Sequence, residues 1–264
     1  MEVKKLYGKI IKDDARYDYT QKFLEGKGIK FGDENSNPNF ILFPFKEKIN
    51  NTFDEKFFGN LSKDVLIFSG IQNNYLKLVC EKNNLNYEAL MNSDYISILN
   101  AIPTAEGIIS YLIQNRKTTI ANSNILIIGY GRCGKVLADK LLALGAKIFV
   151  NTLNKSDYAI AITHKIIPNP QINFREKIFD VVINTAPAQT ISDENLKLLS
   201  NETLLIDITS VGFDIDIAQK KNVKSARLLS IPAKFALQTA GEILGEYIYK
   251  KVLKCSQGKK SDLA

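Results

Sequence analysis

A glycine-rich turn between an apolar strand and an amphipathic helix is the feature that most constrains how this chain can fold. Four apolar residues at 125–128 predict a buried strand, and a Gly-x-Gly-x-x-Gly turn follows at Gly129, Gly131 and Gly134. Apolar residues at helical spacing over 136–144 predict a helix, after which a second apolar strand begins. In this context the three glycines indicate a dinucleotide-binding unit, whereas an ordinary turn that holds three glycines is the alternative.

Each glycine has a specific role in such a unit. Gly129 permits the tight turn, Gly131 lets the backbone approach a pyrophosphate, and Gly134 lets the helix pack close to the strand. The helix then directs unpaired N–H groups and a partial positive charge at the phosphates. We expect Arg132 to contact the pyrophosphate. Cys133 lines the turn as a small residue, and simple packing is favoured over a redox role.

The end of the following strand indicates which nucleotide is bound. An NAD site usually places Asp or Glu about 20 residues beyond the first glycine, where the carboxylate holds the ribose 2′-hydroxyl. This chain has Asn151 and Thr152 there, followed by Lys155 and Ser156. Amide, hydroxyl and ammonium groups accept a 2′-phosphate that a carboxylate would repel, so the sequence favours NADP over NAD. A solvated surface lysine is the alternative for Lys155.

The composition excludes several classes of protein. A chain of 264 residues with 45% hydrophobic and 24% charged residues is typical of a globular protein of one or two domains. No apolar run approaches the roughly 20 residues of a membrane span, and the first residues lack the apolar region of a signal peptide. Cysteines at 80, 133 and 255 form neither a metal-binding pattern nor a disulfide framework. We therefore expect a cytoplasmic protein with no metal and no membrane contact.

The formal net charge of +7 does not indicate a nucleic-acid partner. A nucleic-acid site would cluster basic residues with aromatic ones, whereas here the basic residues are spread along the chain. The charge does favour long-range attraction of small anionic substrates. The single histidine, His164, lies in a predicted loop, where we interpret it as a surface residue rather than a catalytic base.

Strands and helices alternate along most of the chain. This order predicts an α/β fold with two Rossmann-like, doubly wound parallel-sheet domains, the second of which binds the dinucleotide. Residues 1–102 form the predicted substrate or partner domain, 103–235 the NADP-binding domain, and 255–264 a flexible basic tail. A last helix over 236–254 is expected to complete the first domain. Pro103 is expected to begin a separate helix at its first position.

Two further segments follow predicted buried strands. Ser69 and Gly70 are expected to open a helix whose amides and hydroxyl bind a carboxylate, although a routine capped turn is equally compatible. Residues 184–187 follow a later strand at the carboxyl edge of the sheet, where ligands bind in such folds. A loop with no ligand is the alternative there.

Several short motifs in a fixed order resemble one known family. Besides the glycine turn, they are Asp14-Ala15-Arg16, the segment 69–76, Ile102-Pro103-Thr104-Ala105-Glu106-Gly107, Asn184-Thr185-Ala186-Pro187-Ala188, Leu205-Ile206-Asp207, Ile231-Pro232-Ala233-Lys234 and Thr239-Ala240-Gly241. Together they resemble the A subunit of dipicolinate synthase, a family related to the two-domain D-2-hydroxyacid dehydrogenases and S-adenosylhomocysteine hydrolases. The similarity spans nearly the full chain.

The resemblance implies a role in endospore formation. It implies that an intermediate of the dihydrodipicolinate pathway is oxidised to dipicolinate with NADP, in the cytoplasm of the mother cell. It also implies a hetero-oligomer with the flavoprotein-like B subunit of dipicolinate synthase. The substrate would be a small dicarboxylate, whose charges must be neutralised while it is held against the nicotinamide.

The resemblance, together with the strand ends discussed above, gives candidate roles for individual residues. The catalytic candidates are Thr104, Glu106 and Lys234. The substrate-binding candidates are Arg16, Ser69, Gly70, Asn73 and Lys234. The cofactor-binding candidates beyond the glycine turn are Asn151, Thr152, Lys155, Asn184, Thr185, Ala186, Pro187 and Asp207. Glu106 has the alternative role of complementing the helix dipole, and Arg16 and Lys234 have the alternative of being surface cations.

Two departures from the family pattern keep other functions open. Lys12-Asp13-Asp14 replaces the glycines that usually end the first strand, and residues 209–213 read Thr-Ser-Val-Gly-Phe where the family tends to have Ser-Lys-Pro-Gly-Gly. A lysine is therefore absent from this loop. One alternative is an NADP-dependent dehydrogenase of another carboxylated substrate. The other is a nucleotide-binding subunit that has lost turnover and acts by holding the B subunit.

Overall fold

The chain folds into two compact units, each built on a parallel β-sheet. The computed structural model describes residues 5–32, 37–45, 53–169, 172, 174, 178–188, 190–220 and 222–257. The first unit comprises residues 1–100 and 236–264, and the second comprises residues 101–235. The predicted fold class, α/β with two doubly wound parallel sheets, is confirmed.

The first unit contains a four-stranded sheet in the order β1-β2-β3-β4, and all its strand pairs are parallel. Its strands are β1 (Gly8–Ile10), β2 (Phe40–Leu42), β3 (Leu66–Ser69) and β4 (Asn86–Ala89). The helices between them are α1 (Arg16–Gly26), α2 (Glu55–Gly59) and α3 (Asn74–Lys82). The β2 and β3 side chains are all buried, which fits strands that are covered on both faces.

A long helix, α4 (Asp94–Asn115), contains the boundary between the two units. Two helices separated at Ile102–Pro103 were predicted, and this prediction is wrong because Pro103 lies inside one helix of 22 residues. Proline removes one N–H and costs about 3 kcal/mol in a helix interior. The burial of Ala101, Ala105 and Ile108 on either side offsets that cost.

The apolar character of α4 also qualifies the expectation that no segment could cross a membrane. Among the described residues, α4 is the one helix long and apolar enough for that by length and composition. Half of its most apolar stretch is buried inside the protein, as in the core helix of a globular fold. Ile96 belongs to the core of the first unit, and Ile108 and Leu112 belong to that of the second.

The second unit contains a six-stranded parallel sheet. Its strands are β5 (Asn124–Ile128), β6 (Lys147–Asn151), β7 (Ile167–Pro168), β8 (Val181–Asn184), β9 (Leu204–Asp207) and β10 (Lys224–Arg227). Its helices are α5 (Arg132–Ala143), α6 (Lys155–Thr163), α7 (Asp193–Leu196), α8 (Ile215–Lys220) and α9 (Ile231–Phe235). The strand order β10-β9-β8-β5-β6-β7 reverses direction between β5 and β8. A dinucleotide binds at this reversal in folds of this type, at the carboxyl ends of the strands.

The last helix, α10 (Leu237–Ser256), belongs to the first unit and packs closely on α1. A Cβ atom at Gly241 would lie 2.5 Å from the Arg16 carbonyl oxygen, so the two backbones meet with no side chain between them. The Thr20 hydroxyl donates a hydrogen bond of 2.9 Å to the Gly241 carbonyl. The helix extends two residues further than its predicted end at 254, and residues 258–264 of the predicted tail lie outside the described residues.

Replacement of Gly241 by alanine tests this close approach. We expect Gly241→Ala to destabilise the protein by about 1–3 kcal/mol, since the methyl group overpacks the helix contact. Gly26→Ala is the matched control, because nothing lies within 4 Å of a Cβ at that position in α1. That variant should be neutral or slightly stabilising, by up to about 1 kcal/mol. Urea denaturation followed by circular dichroism measures both, and equal stabilities would contradict the close packing.

Candidate functional site

The carboxyl edge of the six-stranded sheet collects most of the predicted cofactor-binding residues. The glycine turn follows β5, Asn151 and Thr152 lie at the end of β6, and residues 184–187 lie at the end of β8. Since β5, β6 and β8 are paired and parallel, their carboxyl ends meet along one edge. Asp207 ends β9 on the same edge.

The three glycines of the turn occupy different environments. Gly129 has a φ of +91°, a conformation that favours glycine, and a Cβ there would lie 2.8 Å from the Thr185 hydroxyl. A Cβ at Gly134 would overlap the Gly129 carbonyl oxygen, which shows how closely α5 approaches the strand. A Cβ at Gly131 would meet nothing within 4 Å. The backbone therefore borders open space at Gly131 alone among these three glycines.

The first turn of α5 faces this open space without a side-chain cap. Gly131 is the N-cap residue, and as a glycine it has no side chain to accept a hydrogen bond from the N–H groups that follow it. Because the first N–H groups of a helix have no partner within the helix, such an end attracts anions. The arrangement fits a phosphate or pyrophosphate group at the turn.

The Thr185 hydroxyl joins the β8 loop to the glycine turn. It lies 3.1 Å from the Ile128 carbonyl oxygen and 3.0 Å from the Gly129 carbonyl oxygen, and it donates to this pair. The Asn184 side chain lies inside its own loop, where its oxygen accepts from the Ala186 N–H and the Thr190 hydroxyl. Both side chains thus fix the loop geometry, and their predicted contact with a cofactor stays a prediction.

Asp207 is the centre of a buried hydrogen-bond network. Its side chain is 0% exposed and accepts hydrogen bonds from the Asn184 amide, the Thr209 N–H and hydroxyl, and the Arg227 guanidinium. A buried carboxylate is stable only when it is paired and hydrogen-bonded in this way. Arg227 was not among the predicted site residues, because it lies 20 positions away from Asp207 in the chain.

The end of β6 presents polar groups and one lysine. The Asn151 amide donates to the Asn169 carbonyl oxygen over 3.0 Å. Asn154, which was not among the predicted site residues, caps α6 by accepting from the N–H groups of Ser156 and Asp157. Lys155 is exposed at the start of α6, and no ion pair engages it in the part of the chain that the structure describes.

Cys133 follows the N-cap of α5, so its chemistry bears on the turn. Burial raises the pKa of the Cys133 thiol, and the neighbouring Arg132 opposes that rise. The thiol is therefore protonated at neutral pH and has little thiolate character. This environment favours the interpretation of Cys133 as a packing residue.

The predicted catalytic residues lie on two helices of the second unit. Thr104 is buried, whereas the Glu106 side chain is 57% exposed and pairs with Lys140 of α5 over 3.0 Å. Lys234 lies on α9, exposed and with no ion-pair partner among the described residues. A Cβ at Gly107 would lie 2.8 Å from the Phe235 ring, so α9 packs against this part of α4.

In the first unit, Arg16 is buried rather than exposed. Its guanidinium makes a two-point contact with the Asp14 carboxylate, at 2.8 Å from Nε and 2.7 Å from Nη2. It also lies 3.8 Å from the centre of the Phe45 ring. The interpretation of Arg16 as a solvated surface cation is wrong, because only 5% of the residue is exposed.

The Ser69–Gly70 segment is organised differently from its predicted form. The helix that follows begins at Asn74, capped by the Asn73 side chain, so the prediction that Ser69 and Gly70 open a helix is wrong. The Ser69 hydroxyl lies 2.7 Å from both the Ile71 carbonyl and the Tyr87 hydroxyl. Gly70 packs directly against the Phe45 ring, with no room for a side chain.

Comparison with solved structures defines the class of fold. The NAD-complexed D-isomer specific 2-hydroxyacid dehydrogenase of Lactobacillus delbrueckii ssp. bulgaricus matches with a TM-score of 0.62 at 13% identity, over 98% of this chain and 99% of that one. The chain therefore has the two-domain fold of the D-2-hydroxyacid dehydrogenases. No family model matches the sequence.

Closer relatives identify the family. The chain is 31% identical to the A subunit of dipicolinate synthase of Bacillus subtilis over 200 aligned residues. These residues cover 74% of this chain and 67% of that protein. The crystal structure of the A chain of dipicolinate synthase from Bacillus subtilis matches with a TM-score of 0.88 at 25% identity, over 97% of this chain and 99% of that chain. The chain belongs to the family of dipicolinate synthase A subunits, as its motifs predicted.

The contrast between Gly131 and Gly134 can be measured as stability. We expect Gly134→Ala to lower the free energy of unfolding by about 1–3 kcal/mol, because its methyl group overlaps the Gly129 carbonyl. Gly131→Ala should leave the melting temperature unchanged or slightly raised, because its φ of −81° suits alanine and its Cβ meets open space. Thermal melts of both variants test this, and a similar loss in each would contradict the geometry of the turn.

Proposed function

We propose that this protein is an NADP-dependent oxidoreductase subunit that forms dipicolinate, pyridine-2,6-dicarboxylate, from an intermediate of the dihydrodipicolinate pathway during sporulation. Membership of the family of dipicolinate synthase A subunits is the observation that carries this proposal. The uncapped start of α5 beside Gly131 supports it, since this feature fits the pyrophosphate of a dinucleotide.

The cofactor supplies the hydride acceptor when it is bound. The N–H groups at the start of α5 would hold its pyrophosphate, and the open space beside Gly131 would let a phosphate approach the backbone. Arg132 adds a positive charge at the same turn. Residues 185–187 and Asp207 stay predicted cofactor contacts, positioned by the hydrogen bonds around Asn184.

Selection of NADP over NAD rests on the end of β6. The strand ends in Asn151 rather than in a carboxylate, and Lys155 stands exposed without an ion-pair partner among the described residues. A free ammonium beside hydroxyl and amide groups suits a 2′-phosphate. Thr152 and Ser156 supply hydroxyls in the same segment.

Substrate binding requires cations that can neutralise two carboxylates. Lys234 is exposed with no ion pair among the described residues, so its ammonium can bind a carboxylate. Arg16 already pairs with Asp14, so it supplies little net charge to a substrate. The substrate contacts predicted in the first unit stay predictions; they are Arg16, Ser69, Gly70 and Asn73.

Aromatisation of a dihydropyridine ring removes one hydride and one proton. A bound nicotinamide would accept the hydride, and a base must take the proton. Glu106 is the candidate base, because its exposed carboxylate carries a negative charge that Lys140 partly balances. Thr104, which precedes Glu106 by two residues on α4, is the candidate hydrogen-bond partner of the substrate.

A partner subunit and a cellular location complete the proposal. The related Bacillus subtilis protein is named as the A subunit of its enzyme, which implies a second subunit there. We propose that this chain also acts in a hetero-oligomer with the flavoprotein-like B subunit of dipicolinate synthase, in the cytoplasm of the mother cell.

Turnover in a reconstituted mixture tests the function. The chain, the B subunit, NADP and the pathway intermediate should together produce ultraviolet-absorbing dipicolinate, whereas Gly131→Ala should fold normally and produce far less. The methyl group in that variant fills the space next to the pyrophosphate. Equal activity of Gly131→Ala would contradict the cofactor site. The absence of product at saturating concentrations of all components would contradict the synthase function.

A second candidate function is a nucleotide-binding subunit that holds the B subunit without turnover. The loop at 209–213 favours it, because this loop contains Val211, 61% exposed, and no lysine. This function predicts tight NADP binding and no product in any mixture of the two proteins. Isothermal titration together with the turnover assay separates it from the synthase function.

The preference for NADP can be tested at Lys155. We expect Lys155→Ala to weaken NADP binding about tenfold while NAD binding changes little, since a lost charge-assisted hydrogen bond has about this effect. Lys147→Ala is the matched control, because Lys147 is an exposed lysine at the opposite end of β6. An unchanged ratio of the two affinities in Lys155→Ala would remove this lysine from the 2′-phosphate site.

A further inference from the structure

Arg227 makes contacts that its position in the sequence does not suggest. It ends β10, the edge strand of the six-stranded sheet. Its Nη2 donates to the Asp207 carboxylate over 3.1 Å and to the Phe213 carbonyl oxygen over 2.6 Å. The guanidinium therefore joins the two ends of the loop that follows β9.

This loop is wrapped around the carboxylate that Arg227 neutralises. The Thr209 N–H and hydroxyl both approach Asp207 Oδ1, at 2.9 Å and 2.8 Å, and a Cβ at Gly212 would overlap Oδ2. Asp207 is 0% exposed, so its charge is stable only with these partners in place. Loss of the Arg227 guanidinium would leave a buried carboxylate with no cation and release the loop.

The network continues from Asp207 to the glycine turn. The Asn184 amide donates to Asp207 over 3.1 Å, and the Asn184 oxygen accepts from the Ala186 N–H over 3.2 Å. The next residue, Thr185, donates to the carbonyl pair that includes Gly129. Hydrogen bonds thus connect Arg227 through two loops to the turn that follows β5.

The two halves of the sheet would serve different parts of a dinucleotide. In folds with this strand order each half binds one mononucleotide, and the half that carries the glycine turn and the next strand takes the adenosine part. Here β5, β6 and β7 form that half, so β8, β9 and β10 remain for the nicotinamide part. Arg227 and its network hold the loops of this second half.

We propose that Arg227 is a positioning residue for the nicotinamide half of the cofactor site. It acts through Asp207 and the loop at 208–213 and does not itself contact the cofactor. The proposal rests on the proposed function, since it requires that the site binds a nicotinamide dinucleotide. It predicts that loss of Arg227 weakens binding of the nicotinamide half of the cofactor and leaves binding of the adenosine half unchanged. A merely structural role would weaken the binding of both halves.

Two ligands that differ in the nicotinamide test this asymmetry. NADPH carries both halves, and 2′-phospho-ADP-ribose lacks the nicotinamide ring. We expect Arg227→Met to weaken NADPH binding about tenfold or more, as for loss of a charge-assisted hydrogen bond, and to leave 2′-phospho-ADP-ribose within about twofold of the unmodified protein. Isothermal titration gives both dissociation constants. The fluorescence enhancement of bound NADPH, which reports the nicotinamide environment, should fall as well.

Arg116→Met is the control for removal of another arginine that lies beside an aspartate at a strand end. The Arg116 side chain is 7% exposed, lies 4.0 Å from Asp180, and donates to the Ser123 hydroxyl over 3.0 Å. Asp180 precedes β8 and Ser123 precedes β5, so this cluster lies at the amino ends of the strands, away from the site. We expect Arg116→Met to leave the ratio of the two dissociation constants unchanged.

Two further variants keep the test decisive if Arg227→Met does not fold. The double variant with Asp207→Asn and Arg227→Met removes both charges, so no buried carboxylate is left without a cation. Arg227→Lys keeps the charge but replaces the planar guanidinium, whose Nη2 makes both contacts, by an ammonium group on a shorter side chain. Both should show the same loss of NADPH affinity relative to 2′-phospho-ADP-ribose.

Three results would overturn the proposal. NADPH affinity that is unchanged in all folded Arg227 variants would remove Arg227 from the site while the proposed function stands. An equal loss of affinity for both ligands would assign Arg227 a general structural role. Failure of the unmodified protein to bind either ligand would overturn the proposed cofactor site, and the role of Arg227 with it.

Discussion

The contact between the start of α5 and the end of β5 is the steric constraint on which the site depends. The helix can begin there only because Gly134 has no side chain to overlap the Gly129 carbonyl. The same carbonyl lies 3.0 Å from the Thr185 hydroxyl, which links the turn to the loop after β8. Three backbone segments therefore meet around one peptide group. As a result, the uncapped start of α5 faces the space beside Gly131, and that space stays open.

The loop after β9 is held by a different kind of force. Where the glycine turn depends on the absence of side chains, this loop depends on the charge of Asp207, which is 0% exposed. Burial of a carboxylate strengthens its hydrogen bonds, but it also makes the loss of any partner expensive. The geometry at β8 and β9 is therefore rigid only while Arg227, Thr209 and Asn184 all donate. Asn184 and Thr185 connect the two constraints. Thr185 contacts the sterically constrained glycine turn, and Asn184 donates to the buried carboxylate.

Local patterns predicted the features that local residues determine. The run at 125–128 and the spacing of Gly129, Gly131 and Gly134 predicted β5, its turn and α5, because their conformation depends on neighbouring residues. Pro103 misled the prediction, because tertiary packing offsets the local cost of proline in α4. The pairing of Ser69 with Tyr87 and that of Asp207 with Arg227 join residues 18 and 20 positions apart. No periodicity in one sequence specifies such partners, and they emerge only once the sheets align their strand ends.

The 35 basic residues of the chain overstate the positive charge that is available to an anionic ligand. Several cations near the predicted site residues are already neutralised: Arg16 by Asp14, Lys135 by Asp157 at 2.6 Å, and Lys140 by Glu106 at 3.0 Å. A cation that pairs with a carboxylate contributes little net field to a ligand, since the two charges cancel within a few ångströms. Within the described residues, Lys155 and Lys234 carry no such partner. Their exposed ammonium groups can therefore contribute affinity for a phosphate or a carboxylate.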